Sequence, residues 1–277
     1  MSAIIIDGNK IASDIKNQIA FEIKKTGRKL GLGTILVGKD PGSVAYVDGK
    51  HKDCAQAGIS SIKINLPEAA SEAEIVEAIE NLNNNQNCTG FIVQLPLSEN
   101  IDTNKILTLI DPKKDADGLH PINLGNLVLS KNSIIPCTPK AILELLNRYK
   151  INLIGSKVLI IGRGTTVGRP LSILLSQKTI DATVTSAHSK TKNLESLIRE
   201  ADVVISAIGR AHFIKANMIK SGAVIIDVGI TRTNSGLQGD VDPEVVNTAS
   251  YFSPMPGGVG PMTRAMLLTN LVELSKL

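Results

Sequence analysis

Apolar residues at Ile11, Ile15, Ile19 and Ile23 recur every four positions, which predicts an amphipathic helix over about residues 8–30. Residues 33–38 then read as a short buried strand ending in a turn, followed by a helix that carries Tyr46 and Lys50 and closes at Gly58. Residues 59–66 alternate apolar and polar, as a strand does when one face is exposed. Ser71 with Glu74 three residues on forms a capping box for a helix to about Asn84. Residues 90–97 make the next strand, which must stop near Pro96 because proline has no N–H for the ladder. A helix followed by repeated strand–helix units is the pattern of an α/β domain.

Residues 111–121 form a polar loop centred on Asp115-Ala116-Asp117-Gly118. Residues 134–139 lead into a helix to about Tyr149, with Thr138 as its N-cap and Pro139 at the first helical position. The domain boundary is placed there. The alternation then restarts with a strand over 157–161, a glycine-rich turn, a helix, and a strand over 183–187. A helix over 194–199 and strands over 203–208 and 224–228 follow, and a last helix opens at Pro261. The expected architecture is two α/β domains facing a cleft, 1–138 and 139–260, with the C-terminal helix 261–277 packing back on the first.

Composition fits that picture. At 43% hydrophobic and 20% charged, the 277 residues suit a globular protein with a sizeable core. Aromatic residues make up only 3%, with no Trp, so the core must be Ile, Leu, Val and Ala, which suits buried parallel strands. A net charge of +4 from scattered basic residues gives no support for nucleic-acid binding. No apolar run approaches the roughly 18 residues that span a bilayer, and the first residues lack the basic lead of a signal peptide. Cys54, Cys88 and Cys137 have neither disulfide nor metal-site spacing, and His51, His120, His188 and His212 show no ligand spacing. A cytoplasmic, metal-free protein without membrane or nucleic-acid partners is expected.

Candidate chemistry concentrates at Ser43-Val44-Ala45-Tyr46-Val47-Asp48-Gly49-Lys50. On a helix, Ser43, Tyr46 and Lys50 share one face, and a neighbouring phenol with low polarity can depress a lysine's pKa enough to make it a base. Gly49 costs about 1 kcal/mol relative to Ala inside a helix, so something is expected to approach the backbone there. An ordinary solvated lysine fits the same stretch.

The second concentration is Gly162-Arg163-Gly164-Thr165-Thr166-Val167-Gly168-Arg169-Pro170. A strand, a glycine-rich turn and a helix together form the site where a dinucleotide's pyrophosphate rests on a helix N-terminus, though this spacing is one residue longer than the usual fingerprint. An NAD site places a carboxylate about 20 residues further on, and this chain has His188-Ser189-Lys190-Thr191-Lys192 there. With no acid at that place and Arg163 in the turn, a 2′-phosphate would be neutralised, which favours NADP. Lys190 and Lys192 also fit as solvated loop charges.

Together these stretches resemble the methylenetetrahydrofolate dehydrogenase/cyclohydrolase family over essentially the whole chain. The motifs are Ser43…Tyr46-Val47…Lys50, Val93-Gln94-Leu95-Pro96-Leu97, Asp115-Ala116-Asp117-Gly118 and Pro136-Cys137-Thr138-Pro139. The second half adds Gly162-Arg163…Val167-Gly168-Arg169-Pro170, Asp227-Val228-Gly229-Ile230 and Pro256-Gly257-Gly258-Val259-Gly260-Pro261-Met262-Thr263. The resemblance implies oxidation of methylene-tetrahydrofolate with NADP and hydrolysis of the methenyl product to formyl-tetrahydrofolate. It implies Lys50 as the catalytic lysine, Tyr46 beside the substrate's ring system, Gln94 holding Lys50 through its side-chain oxygen, and Asp117 facing the pterin's donor edge.

Ser43, Val93, Leu95 and the loop Pro256, Gly257, Gly258, Val259, Gly260 and Pro261 would contact the folate. Gly162, Arg163, Gly164, Ser189 and Ile230 would contact the cofactor, the second half being a Rossmann-type NAD(P)-binding domain. A homodimer is implied as well. Gly164 departs from the serine common there in the family, which leaves NAD possible. The alternatives are a monofunctional enzyme of the same family and a nucleotide-sensing protein without turnover. A short-chain dehydrogenase would carry its Tyr-x-x-x-Lys after the cofactor turn, whereas here Lys50 precedes Gly162.

Overall fold

The structure, a computed structural model, describes residues 2–234 and 236–277. The chain opens with β1 (Ile4–Ile5) and α1 (Gly8–Thr26), then alternates β2 (Gly31–Val37), α2 (Pro41–Ala57), β3 (Ser60–Leu66), α3 (Glu72–Asn84) and β4 (Gly90–Val93). Three helices follow, α4 (Thr103–Thr108), α5 (Pro121–Val128) and α6 (Cys137–Arg148). The alternation resumes with β5 (Lys157–Ile161), α7 (Gly168–Leu175), β6 (Thr183–Ala187), α8 (Leu194–Glu200), β7 (Val203–Ser206) and β8 (Val224–Asp227). A hairpin of β9 (Thr231–Thr233) and β10 (Gly236–Gln238), then β11 (Tyr251–Ser253) and α9 (Val259–Leu274), complete the chain. Among the described residues no helix is long and apolar enough to cross a membrane.

Two compact units result. One is Ser13–Cys137 with Arg264–Leu277, and the other is the chain up to Ala12 with Thr138–Thr263. In the first, β2 lies between β3 and β4 in an all-parallel sheet. Ile35 on β2 and Phe91 on β4 are fully buried against Ile75, Ile79 and Leu82 of α3, which gives this unit a core on one face of its sheet. The α3 start matches the sequence expectation, with Ser71 and Glu74 capping each other reciprocally. In the second unit six parallel strands run in the order β1-β11-β8-β7-β5-β6. Their apolar runs (Leu159, Ile161, Val204, Ile225) are buried, as parallel strands covered on both faces require.

The structure differs from the sequence expectation at several points. The first helix ends at Thr26, because Gly27 takes a positive φ of 67° and leaves the helix. Residues 2–12, expected in the first domain, belong with the second, since Ile4 and Ile5 pair in parallel with Tyr251 and Phe252. A two-residue edge strand carries no periodicity that a sequence reading could detect. The helix expected to start after Thr138 already includes Cys137, so Thr138 is not its N-cap; the Thr138 hydroxyl instead meets that of Thr263 at 3.2 Å. The strand expected over 90–97 stops at Val93.

The C-terminal helix fixes the loops of the first unit from inside. Asn270 is fully buried, and its Nδ2 donates to the carbonyls of Ala116 at 2.9 Å and Ile135 at 3.0 Å. Asp115, also buried, accepts from the backbone N–H of Gly118 at 3.0 Å and of His120 at 2.7 Å, and from Asn123 Nδ2 at 2.9 Å. Together they set the path of the Asp115–Gly118 turn. Replacing Asn270 by Leu removes two donors from buried carbonyls, so we expect a loss of about 2–4 kcal/mol of stability by denaturant titration. A loss below about 0.5 kcal/mol would show that the two carbonyls find other partners.

Candidate active site

Helix α2 starts where the Asp40 side chain accepts from the Ser43 N–H at 2.7 Å with Pro41 in the first turn, and ends at Gly58 with φ 75°. Ser43 therefore sits in the first turn, and Tyr46 and Lys50 follow on the same face. The structure brings the expected group together. Lys50 is only 5% exposed; its Nζ donates to Gln94 Oε1 at 3.0 Å and lies 4.6 Å from the Tyr46 ring centroid.

Gln94 is itself held at the end of β4. Its backbone N–H donates to Ile35 O at 2.9 Å and its Nε2 to Leu95 O at 2.6 Å, leaving Oε1 to face the lysine. Burial pushes the Lys50 amine below the usual lysine range, against the opposing pull of Asp117 and then Cys137, and with Arg264 adding to the lowering. An amine held in this way gives up its proton more readily than a solvated lysine, as a base must.

Asp117 is half-buried in the turn that Asp115 and Asn270 shape, and its carbonyl accepts from the Cys137 N–H at 3.2 Å. Leu95 is half-buried, whereas Val93 belongs to the core and can offer a ligand its backbone but little side chain. The neighbouring His51 is buried against β2, with Nε2 2.8 Å from Thr34 Oγ1. Burial, then the Lys63 charge, takes its pKa down to about 4, so it stays neutral and structural.

In the other unit the glycine-rich turn joins β5 to α7. Gly162 has φ 121°, and a Cβ there would lie 2.4 Å from Ala207 O, so only glycine lets the turn lie this close to the next loop. A cavity of about 330 Å³ opens beside it, and its walls include Gly162, Arg163, His188, Ser189, Ile208 and Arg210. Gly162, Arg163 and Ser189 are thus brought together as expected, while Gly164 and Ile230 are not among the residues lining this cavity. Pro256–Pro261 lies in this unit too, where Gly257 O accepts from the Asn9 N–H at 3.2 Å at the start of α1.

Sequence reasoning missed Arg210, whose guanidinium carbon lies 4.7 Å from the Phe213 ring centre at that cavity. It also missed Asp240, fully buried, which accepts from Ser206 Oγ and the Ile208 N–H at 2.8 Å each and from the Arg210 N–H at 2.7 Å. Asp227 likewise accepts from the N–H groups of Asp240 at 2.9 Å and Val241 at 3.0 Å, and its burial pushes its pKa up to about 7. These carboxylates hold the loops after β7 and β8. The acidic Gly239-Asp240-Val241-Asp242 run was the available signal.

Comparison with known proteins agrees with this geometry. Residues 6–117 match the tetrahydrofolate dehydrogenase/cyclohydrolase catalytic domain, and residues 136–277 match the NAD(P)-binding domain of the same family. The chain is similar to the bifunctional methylenetetrahydrofolate dehydrogenase/cyclohydrolase of Campylobacter jejuni at 40% identity and TM-score 0.95, covering 99% of each chain. It is 36% identical to the Trypanosoma brucei enzyme solved with NADP and an inhibitor, at TM-score 0.94, over 100% of this chain and 98% of that one. It is 25% identical to the NAD-dependent enzyme of Saccharomyces cerevisiae, at TM-score 0.85, over 100% and 98%. A dinucleotide turn, a buried lysine on a glutamine, and two domain matches spanning most of the sequence place this chain in the tetrahydrofolate dehydrogenase/cyclohydrolase family.

Proposed function

We propose that the protein oxidises methylene-tetrahydrofolate to methenyl-tetrahydrofolate with NADP and hydrolyses the product to formyl-tetrahydrofolate. The observation that carries this reading is Lys50, buried and donating to Gln94 Oε1 at 3.0 Å. In the hydrolytic step water adds to the cationic methenyl carbon, and Lys50, as the neutral amine, takes the water's proton. Gln94 fixes the nitrogen, and the Tyr46 ring limits the space the lysine can occupy. Asp117 accepts from the amino-pyrimidine edge of the pterin, as a carboxylate facing paired donors does. Ser43, Val93, Leu95 and Pro256–Pro261 are carried as substrate contacts on the family resemblance.

The residues present also fit a nicotinamide cofactor. The Gly162 turn, which packs against the Ala207 carbonyl where a Cβ would clash, brings bare backbone to the wall of the cavity at the start of α7, and Arg163 and Ser189 line that cavity with it. When bound, NADP supplies the hydride acceptor; the protein's part is alignment. NADP is favoured over NAD because β6 leads to His188-Ser189-Lys190 with no carboxylate for the ribose hydroxyls, and Arg163 supplies a cation. Gly164 and Ile230 remain proposed contacts by resemblance. We further propose a homodimer working in the cytoplasm, where the buried thiols Cys54, Cys88 and Cys137 remain reduced.

Two outcomes test the reading. Lys50→Ala should cut methenyl hydrolysis by about 10²–10⁴-fold while the fold, read by circular dichroism, is retained. Full hydrolytic turnover in that variant would remove Lys50 as the base. Arg163→Ala should weaken NADP by about ten- to a hundredfold in a fluorescence titration and leave NAD nearly unchanged. Equal weakening of both cofactors would take Arg163 away from the 2′-phosphate.

A further inference from the structure

Gly49 precedes Lys50 inside α2, and the structure shows what approaches it. A Cβ at Gly49 would lie 2.6 Å from Arg264 Nη1 and 3.3 Å from its Cζ, so the guanidinium rests against the helix backbone next to the lysine. Arg264 enters from α9, and its Nε lies 2.9 Å from Asp53 Oδ2, four residues after Gly49 on α2. Oδ1 of the same carboxylate takes Lys16 Nζ at 2.7 Å. The Asp53 side chain is only 6% exposed, which separates this cluster from the solvated surface pairs that contribute little. Two cations share one carboxylate, so the cluster carries a net positive charge beside the helix segment that bears Lys50.

We propose that Arg264 is a positioning residue for the hydrolytic step. Seated over Gly49 and anchored on Asp53, it holds a permanent positive charge that biases Lys50 toward its proton-accepting amine. This rests on the reading of Lys50 as the base. A nearby cation disfavours the ammonium form, and a guanidinium does so at every working pH because it does not itself titrate. The other groups facing Lys50 are Tyr46 and Cys54 on its own helix, Gln94 after β4, Asp117 in its turn and Cys137 on α6. Asp117 favours the ammonium, burial opposes it most strongly, and Arg264 is the cation that acts with burial.

The test pairs two readings on the full protein. One is the pH profile of methenyl hydrolysis; the other is an NMR titration of the Lys50 side chain labelled with ¹³C at Cε. Arg264→Gln should move the acidic limb and the Lys50 titration upward together by about 0.5–1 pH unit, a loss of roughly three- to tenfold below the limb and little above it. Arg264→Lys, which keeps the positive charge, should leave both close to their positions in the parent protein. Gly49→Ala, which pushes the guanidinium away while favouring the helix, should shift the titration in the same direction.

An equal loss at every pH with an unmoved Lys50 titration would overturn the proposal and leave a purely structural ion pair. A Lys50 titration that moves while the hydrolysis profile stays fixed would support the charge coupling and overturn Lys50 as the base.

Discussion

Placing a primary amine out of contact with water is the constraint on which the first unit's chemistry depends. An ammonium at 5% exposure loses most of its hydration, so the buried position selects the neutral form unless charges oppose it. The neutral amine still needs its N–H satisfied, and Gln94 Oε1 does this at 3.0 Å. Gln94 can do so because β4 pairs with β2 up to the preceding residue, with Val93 opposite Ile35. The core that holds these strands in register is therefore what sets where the lysine's nitrogen lies, through one amide oxygen.

The second unit solves a different problem, which is to hold loops at the carboxyl ends of parallel strands without regular structure. Buried carboxylates serve there as acceptors for backbone N–H groups that no strand can satisfy. Asp240 gathers the loop after β7 and Asp227 orders the chain around Asp240 itself. The wall carrying Ile208 and Arg210 beside the Gly162 turn follows from these bonds. Desolvation is the cost, and it appears in Asp227 as a carboxyl whose pKa rises to about 7.

Much of this was legible in the order of residues. Four-residue spacing gave α1, the Ser71 and Glu74 pair gave the start of α3, and Gly58 gave the end of α2. These are signals within one turn of chain, where local hydrogen bonding and side-chain spacing decide the outcome. The Tyr46 and Lys50 stripe and the glycine-rich turn were legible for the same reason. Gly49 was legible as an anomaly but not as an explanation, because its partner Arg264 lies 215 residues away in sequence.

The sequence by itself determined the α/β alternation, the helix bearing Lys50 and the turn at Gly162, since each rests on contacts between near neighbours. Tertiary structure decided that β1 joins the far sheet, that Asn270 shapes the Asp117 turn, and that Gln94 meets Lys50. It decided as well that the half-buried Arg264 pairs with the buried carboxylate of Asp53. Each of these joins residues distant in sequence, and hydrogen bonds and charges between such residues leave no period in the chain that bears them.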